Sequence, residues 1–196
     1  MWPGAGVGAL PEPPRALTPR GYASRVRIRE AAEAELDFVS ELLAAAWAQY
    51  EAPAEASEER RRRFTDYKAS VSDVRSRLHD STLLIAESDG RVLGSVTYYP
   101  PRWGVLVGEN WPEGWAGIRL LGVHPDARGR GAGRLLTEEC LRRARADGAT
   151  HVGLHTTVLM TVAKSMYERM GFTRYPQNDF NAGDDFIVEA YEMKLA

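Results

Sequence analysis

The sequence predicts a single α/β domain built on a mixed sheet, and three observations carry that reading. Strand-type and helix-type periodicities alternate along the chain in the order β-α-α-β-β-β-α-β-α-β. An Asp-Gly turn joins two of the strands as a hairpin, while helical stretches separate others, an element order that suits a mixed sheet. At 196 residues the chain can bury one good-sized core and would be cramped as two domains.

The ordered domain is expected over residues 25–196, after a Pro/Gly-rich stretch over 1–24 that reads as a flexible tail. "RVRIRE" alternates, with Val26 and Ile28 on one face, as a short strand does. "AAEAELDFVSELLAAAWAQY" brings Leu36, Val39, Leu43 and Trp47 round at helical spacing. The next helix is expected from Ser57, an approximate cap with Arg60 where a full capping box would want Glu. It runs on to Asp80, with Phe64, Tyr67, Val71, Val74 and Leu78 as its apolar stripe. Its four arginines, Arg60 to Arg63, wrap a whole turn between glutamates and read as a solvated face. "TLLIAESDGRVLGSVTYY" is the hairpin. A long loop with Trp103, Trp111 and Trp115 follows, then "IRLLGV", whose lack of alternation suits a central strand covered on both faces. After "RLLTEECLRRARADGA" as a helix and "THVGLHTT" as a strand, Ala163, Met166, Tyr167 and Met170 mark a short helix stopped by Gly171. "DFIVEAYEMKLA" closes the sheet.

Composition removes several function classes. Net charge is −2 and the pI near 6.1, so nothing global favours nucleic acid or an anionic membrane. In the helix after the glycine loop, Glu138–Arg142 and Glu139–Arg143 already pair at i, i+4. One cysteine, Cys140, allows no intrachain disulfide and no cysteine-built zinc site, and it lies on an apolar stripe with Leu136 and Ala144. The first residues lack the basic leader and unbroken apolar run of a signal peptide, and no stretch is long and apolar enough for a membrane span, so a cytoplasmic protein is expected.

The chemistry concentrates in "HPDARGRGAG", between a strand and a helix. The first amides of a helix lack carbonyl partners and carry the positive end of its dipole. Glycines let an anion approach them, and Arg128 and Arg130 add charge, so phosphate is the expected guest. A P-loop would need Lys-Ser or Lys-Thr after the last glycine, where Arg134-Leu135 stands. A dinucleotide fingerprint would need Gly or Ala at Arg134.

The loop resembles the R/Q-x-x-G-x-G/A signature of the GNAT superfamily of N-acetyltransferases, met by Arg128, Gly129, Arg130, Gly131, Ala132 and Gly133. Leu121, Val123 and Pro125 meet the wider pattern before it, and Ala163, Tyr167, Glu168, Gly171 and Phe172 meet A-x-x-x-Y-E-x-x-G-F after it. The resemblance covers about residues 25–196. It implies a GNAT-like fold: a central, mostly antiparallel mixed sheet, twisted and flanked by helices. It implies acetyl-coenzyme A as co-substrate, with the amides of residues 128–133 on the pyrophosphate, Arg134 also on the cofactor, and the backbone of Leu121, Gly122 and Val123 along the pantetheine arm. Tyr167 would be the general acid for the leaving thiolate. Where many relatives carry a cofactor-contacting asparagine this chain has Met160, with Thr157 and Thr161 as possible replacements. No metal is implied. Family members are often dimers, which makes a homodimer an expectation here.

An alkylamine, with a pKa near ~10.4, must lose a proton before it attacks. Relatives often supply a glutamate near the start of the central strand, where this chain has Gly117. Glu113 is our candidate base, acting through water, beside Glu109, His124 and His155 as further candidates. The acceptor is expected to be the amine of a small molecule, a peptide or a protein. Its identity stays open, as does the alternative of a non-catalytic acyl-coenzyme A sensor or scaffold. The three tryptophans either line the acceptor pocket or pin the loop to the sheet, the second reading being preferred.

Overall fold

The computed structural model describes residues 26–52, 54–101 and 111–196. The expected 1–24 tail, Trp103 and Glu109 lie outside these residues. The elements run β1 (Arg27–Glu30), α1 (Leu36–Trp47), α2 (Glu58–Ser72), β2 (Thr82–Ser88), β3 (Arg91–Tyr99), β4 (Trp115–Val123), α3 (Ala132–Ala146), β5 (His151–Thr157), α4 (Thr161–Met170), β6 (Thr173–Arg174), β7 (Phe180–Asn181) and β8 (Ile187–Lys194). This is the predicted order with two short strands added before the last. Among the described residues the sheet has 8 strands in the order β1-β2-β3-β4-β5-β8-β6, with β7 on β8. All pairings are antiparallel except β4 with β5.

β4 is central, as its unbroken apolar run predicted, and the core lies on both faces of the sheet. One layer packs under α3 and α4 around Leu136, Cys140, Ile118, Leu154 and Tyr191. The other packs under α1, where Leu36, Val39, Leu43 and Trp47 form the predicted stripe against Ile85 and Val74. Asp89 (φ 51°) and Gly90 (φ 73°) both take left-handed backbone, which is the tight primed turn expected of the β2–β3 hairpin.

Helix α2 is shorter than the 57–80 the sequence suggested. Ser57 caps it by accepting from the Arg60 amide at 3.1 Å, and Asp184 accepts from the Ser57 amide at 2.9 Å. The helix stops at Ser72 because Arg77 folds back on its end. One guanidinium donates to the carbonyls of Ser70, Val71 and Asp73, which satisfies groups that a helix C-terminus leaves unpaired. Val71 and Val74 are buried in the α1 layer, but Phe64 and Tyr67 line a cavity instead.

Candidate active site

The site grows from an irregularity in β4. Thr97 of β3 pairs with Arg119 and Ser95 pairs with Gly122, so two residues, Leu120 and Leu121, face Val96 alone. Two residues against one is a β-bulge, which bends and twists its strand. Leu120 absorbs it at φ 54°, a conformation that costs an ordinary residue about 1–2 kcal/mol. Parallel pairing of β4 with β5 ends at Ile118 opposite Leu154. From Arg119 onward β4 therefore presents an edge that β5 does not cover. The bulge also sends Leu120 into the α1 layer and Leu121 into the α3 layer.

β4 leads into the glycine loop. The Arg128 amide closes a turn on the Pro125 carbonyl, and His124 Nδ1 accepts from the Asp126 amide. Gly129 (φ 73°) and Gly131 (φ 87°) then take left-handed backbone, and α3 begins at Ala132. A Cβ at either glycine would meet nothing within 4 Å, so these residues are bare toward open space and not toward packing. Among the described residues the amides of Gly129, Gly131, Ala132 and Gly133 have no acceptor. Together with the α3 dipole they form an anion cradle.

Each arginine of the loop has its own orientation. Arg128 turns away to the C-terminal end of α1, donating to Gln49 Oε1 at 2.8 Å and to the Ala46 carbonyl at 3.0 Å. Its guanidinium thus caps the carbonyl end of α1 in this structure. Arg134 is exposed and pairs with Glu138 at 2.7 Å. Gly122 serves packing: a Cβ there would lie 2.7 Å from Leu43 and 3.2 Å from Ala46, so α1 rests on the bare strand.

Tyr167 sits on α4, and the residues around it explain the motif that contains it. Gly171 takes φ 99° and donates to the Glu168 carbonyl, while the Phe172 amide donates to the Tyr167 carbonyl. The Phe172 ring packs edge-on to Tyr167 at 5.6 Å, and Glu168 accepts from the Tyr191 hydroxyl at 2.9 Å. The Tyr167 ring is buried, and burial pushes its phenol well above the ordinary range, so it holds its proton at neutral pH. Among the described residues its hydroxyl has no hydrogen-bond partner.

Between the parted strands lies a cavity of about 350 Å³. β4 contributes Ile118 to Leu121, β5 contributes His155 to Thr157, and α4 contributes Ala163 and Tyr167. Trp47, Tyr50, Phe64, Tyr67, Phe180 and Phe186 wall the rest, with Arg60 and Arg63 among them. No carboxylate lines it among the described residues. His155 is its one imidazole, held by Nε2 on the Asn178 carbonyl at 2.9 Å and packed against Trp111 and Phe180.

Several expectations land elsewhere. Glu113 is exposed on the turn before β4, at the opposite end of that strand from the bulge, and does not line the cavity. His124 belongs to the loop turn. Met160 lines the cavity at the head of α4; Thr157 lines it too, accepting from the Leu159 amide, whereas Thr161 does not. Trp111 and Trp115 join Tyr99, Tyr175 and Ala190 in a separate cluster, with Trp111 lying over Gly153, so both pin their segment to the sheet. Cys140 is fully buried, its thiol pushed up by burial, and is no nucleophile. Arg61 to Arg63 are exposed, as the sequence suggested, while Arg60 is half-buried; Arg60 and Arg63 also line the cavity. Among the described residues there is no metal-binding cluster and no helix long and apolar enough to cross a membrane.

A strand that parts from its parallel neighbour, a bare anion cradle at the following helix and a largely aromatic cavity beside them form one continuous site. The sequence profile described as "Acetyltransferase (GNAT) family" matches residues 39–172, and the chain belongs to that family. It is 32% identical over 132 residues to a mycothiol acetyltransferase of Geodermatophilus obscurus, covering 66% of this chain and 41% of that protein. It is 36% identical over 135 residues to one of Cellulomonas flavigena, covering 66% of this chain and 37% of that protein. The matched region thus spans about two fifths of these relatives. The fold is shared with the PaiA N-acetyltransferase of Thermoplasma acidophilum in complex with coenzyme A (TM-score 0.60, 19% identity, 87% of this chain and 99% of that one). It is also shared with a GNAT family acetyltransferase of Brucella melitensis in complex with acetyl-CoA (TM-score 0.56, 21% identity, 87% of this chain and 88% of that one).

Proposed function

We propose that this chain is an N-acetyltransferase that carries the acetyl group of acetyl-coenzyme A to a primary amine by direct attack in a ternary complex. One observation carries the reading: the unpaired amides at the head of α3 continue directly from the uncovered edge of β4, which leads to a cavity containing Tyr167. The names of the curated relatives and the coenzyme A complexes of the structural neighbours support it.

In this reading the amides of Gly129 to Gly133 hold the pyrophosphate, and the edge of Leu121, Gly122 and Val123 takes the pantetheine arm as an added strand. The bound co-substrate supplies an activated acetyl group. Met160 and Ala163 give it an apolar wall where relatives carry a polar contact. Tyr167, kept protonated by burial, donates to the departing sulfur. The acceptor amine must be neutral to attack, and we assign the base to His155 in place of Glu113, because His155 lines the cavity and Glu113 does not. Its Nε2 faces the Asn178 carbonyl, so in the neutral tautomer that donates there, Nδ1 is the basic nitrogen. We place the enzyme in the cytoplasm, as expected from its single, buried cysteine.

Calorimetric titration with acetyl-coenzyme A, beside NAD and ATP, tests the cradle. Micromolar binding of acetyl-coenzyme A alone is expected, followed by thiol release when amines are added. No binding by a folded sample refutes the reading. Binding without turnover on any amine identifies a sensor or scaffold instead.

A further inference from the structure

Resting on that reading, we propose that the acceptor is a small-molecule amine whose aromatic or apolar body carries an anionic oxygen group, either a carboxylate or a phosphate ester. The cavity walls are the basis. Seven phenylalanine, tyrosine and tryptophan side chains line it, and its charged lining is cationic: Arg60, Arg63 and Arg119, with no carboxylate among the described residues. A cationic amine with no second charge would enter such a space against like charge. One bearing an anion would meet two guanidiniums at the mouth.

Those two guanidiniums are held in place by the tip of the β7–β8 hairpin. Arg60 lies over the Phe186 ring, 4.4 Å from its centroid. Arg63 lies against Gly183, where a Cβ would come within 3.2 Å of Nη1. The tip itself is ordered by the Ala182 amide on the Phe186 carbonyl and the Gly183 amide on Asn181. The nearest carboxylates do not line the cavity. Asp184 accepts from the Ser57 amide, and that bond, with Arg60 and Arg63 nearby, holds its carboxyl below the usual range; Glu59 pairs with Arg63 across one turn of α2, and both acids make exposed contacts of the kind that contribute little and are readily exchanged. The Phe186 contact engages the face of the ring and not the hydrogen-bonding capacity of Arg60, whose N–H groups can still take an anion. The cavity volume of about 350 Å³ suits a compact acceptor rather than a folded protein surface.

The test is a matched panel: phenylalanine, phenylalaninamide, 4-(2-aminoethyl)benzoate, tyramine O-phosphate and 2-phenylethylamine. Acetyl transfer is followed by coenzyme A release. At least a tenfold higher kcat/KM is expected for the anionic members, with the benzoate and phosphate arms identifying which anion is preferred. In Arg60→Gln/Arg63→Gln, shown folded by circular dichroism, the ratio of anionic to neutral acceptors should fall toward one. Equal rates across the panel in the parent protein, or a preference that survives the double substitution, overturn the proposal. The same amines are titrated calorimetrically into the coenzyme A-saturated protein, which reads the preference without turnover. Absence of turnover with anion-selective binding therefore refutes the transferase reading alone, and non-selective binding refutes the acceptor class.

Discussion

Replacing Tyr167 by phenylalanine separates chemistry from structure in this protein. The substitution keeps the ring, its burial and its edge-on packing against Phe172, and removes one oxygen. Because that hydroxyl has no hydrogen-bond partner among the described residues, its loss strands no buried donor or acceptor. The stability change should stay within about 1 kcal/mol. A general acid contributes roughly 10²–10⁴-fold, which corresponds to ~2.7–5.5 kcal/mol of barrier at 1.36 kcal/mol per decade. The assay is kcat and KM by thiol release, with a denaturant melt beside it. Turnover should fall by at least ~10²-fold while acetyl-coenzyme A affinity holds. An acetyl thioester with a more acidic leaving thiol needs less proton donation, so with that donor the defect should shrink. Full activity in Tyr167→Phe, or a defect that ignores the leaving group, would refute the assignment of the acid.

Three further outcomes follow from the geometry. Gly131→Val should weaken acetyl-coenzyme A binding at least tenfold by calorimetry. Gly148→Val, which carries similar strain at φ 74° in open space, should leave affinity unchanged; equal effects would detach the loop from the cofactor. Gly153→Ala places a Cβ 2.5 Å from the Trp111 ring, and this overpacking should cost about 1–3 kcal/mol in urea unfolding, with an unchanged midpoint denying that Trp111 pins its segment. The Arg29 guanidinium holds the Glu35 carboxyl down to about 2, so its contribution is complete above the ordinary carboxylate range and fades as pH falls from about 4.5 toward 2. Glu35→Gln should flatten that part of the stability–pH curve, and an identical curve would show the pair contributes nothing.

Much of this architecture can be read from local chemistry. The Asp89-Gly90 turn, the α1 stripe and the unbroken run of β4 each follow from periodicity or backbone preference, and each forms as expected. The motif around Tyr167 is legible for the same reason, since Gly171 and Phe172 act on their immediate neighbours. The cavity is less so. Its bulge falls on Leu120, a residue type that gives no sign of left-handed backbone. The two-residue strands β6 and β7 are too short to show any period. Arg60, Arg63 and His155 meet only because α2, β5 and the β7–β8 tip converge from distant parts of the chain. Glu113 illustrates the converse. It is close to the bulge in sequence, yet a strand rises ~3.3 Å per residue, so the residues from Trp115 to Ile118 carry the chain ~10 Å from that turn.

Arg128 gives the two substrates a common mechanical element. Its guanidinium ties the glycine loop to the carbonyl end of α1, and the residues just there, Trp47 and Tyr50, wall the cavity. A phosphate that draws Arg128 toward the cradle would release that tether and let the wall relax; one that leaves it in place would stiffen both together. By thermodynamic reciprocity, whatever factor the cofactor imposes on acceptor affinity through this arginine, the acceptor must return to the cofactor. Arg128→Ala should then weaken that coupling, read as an acceptor affinity that no longer depends on bound acetyl-coenzyme A.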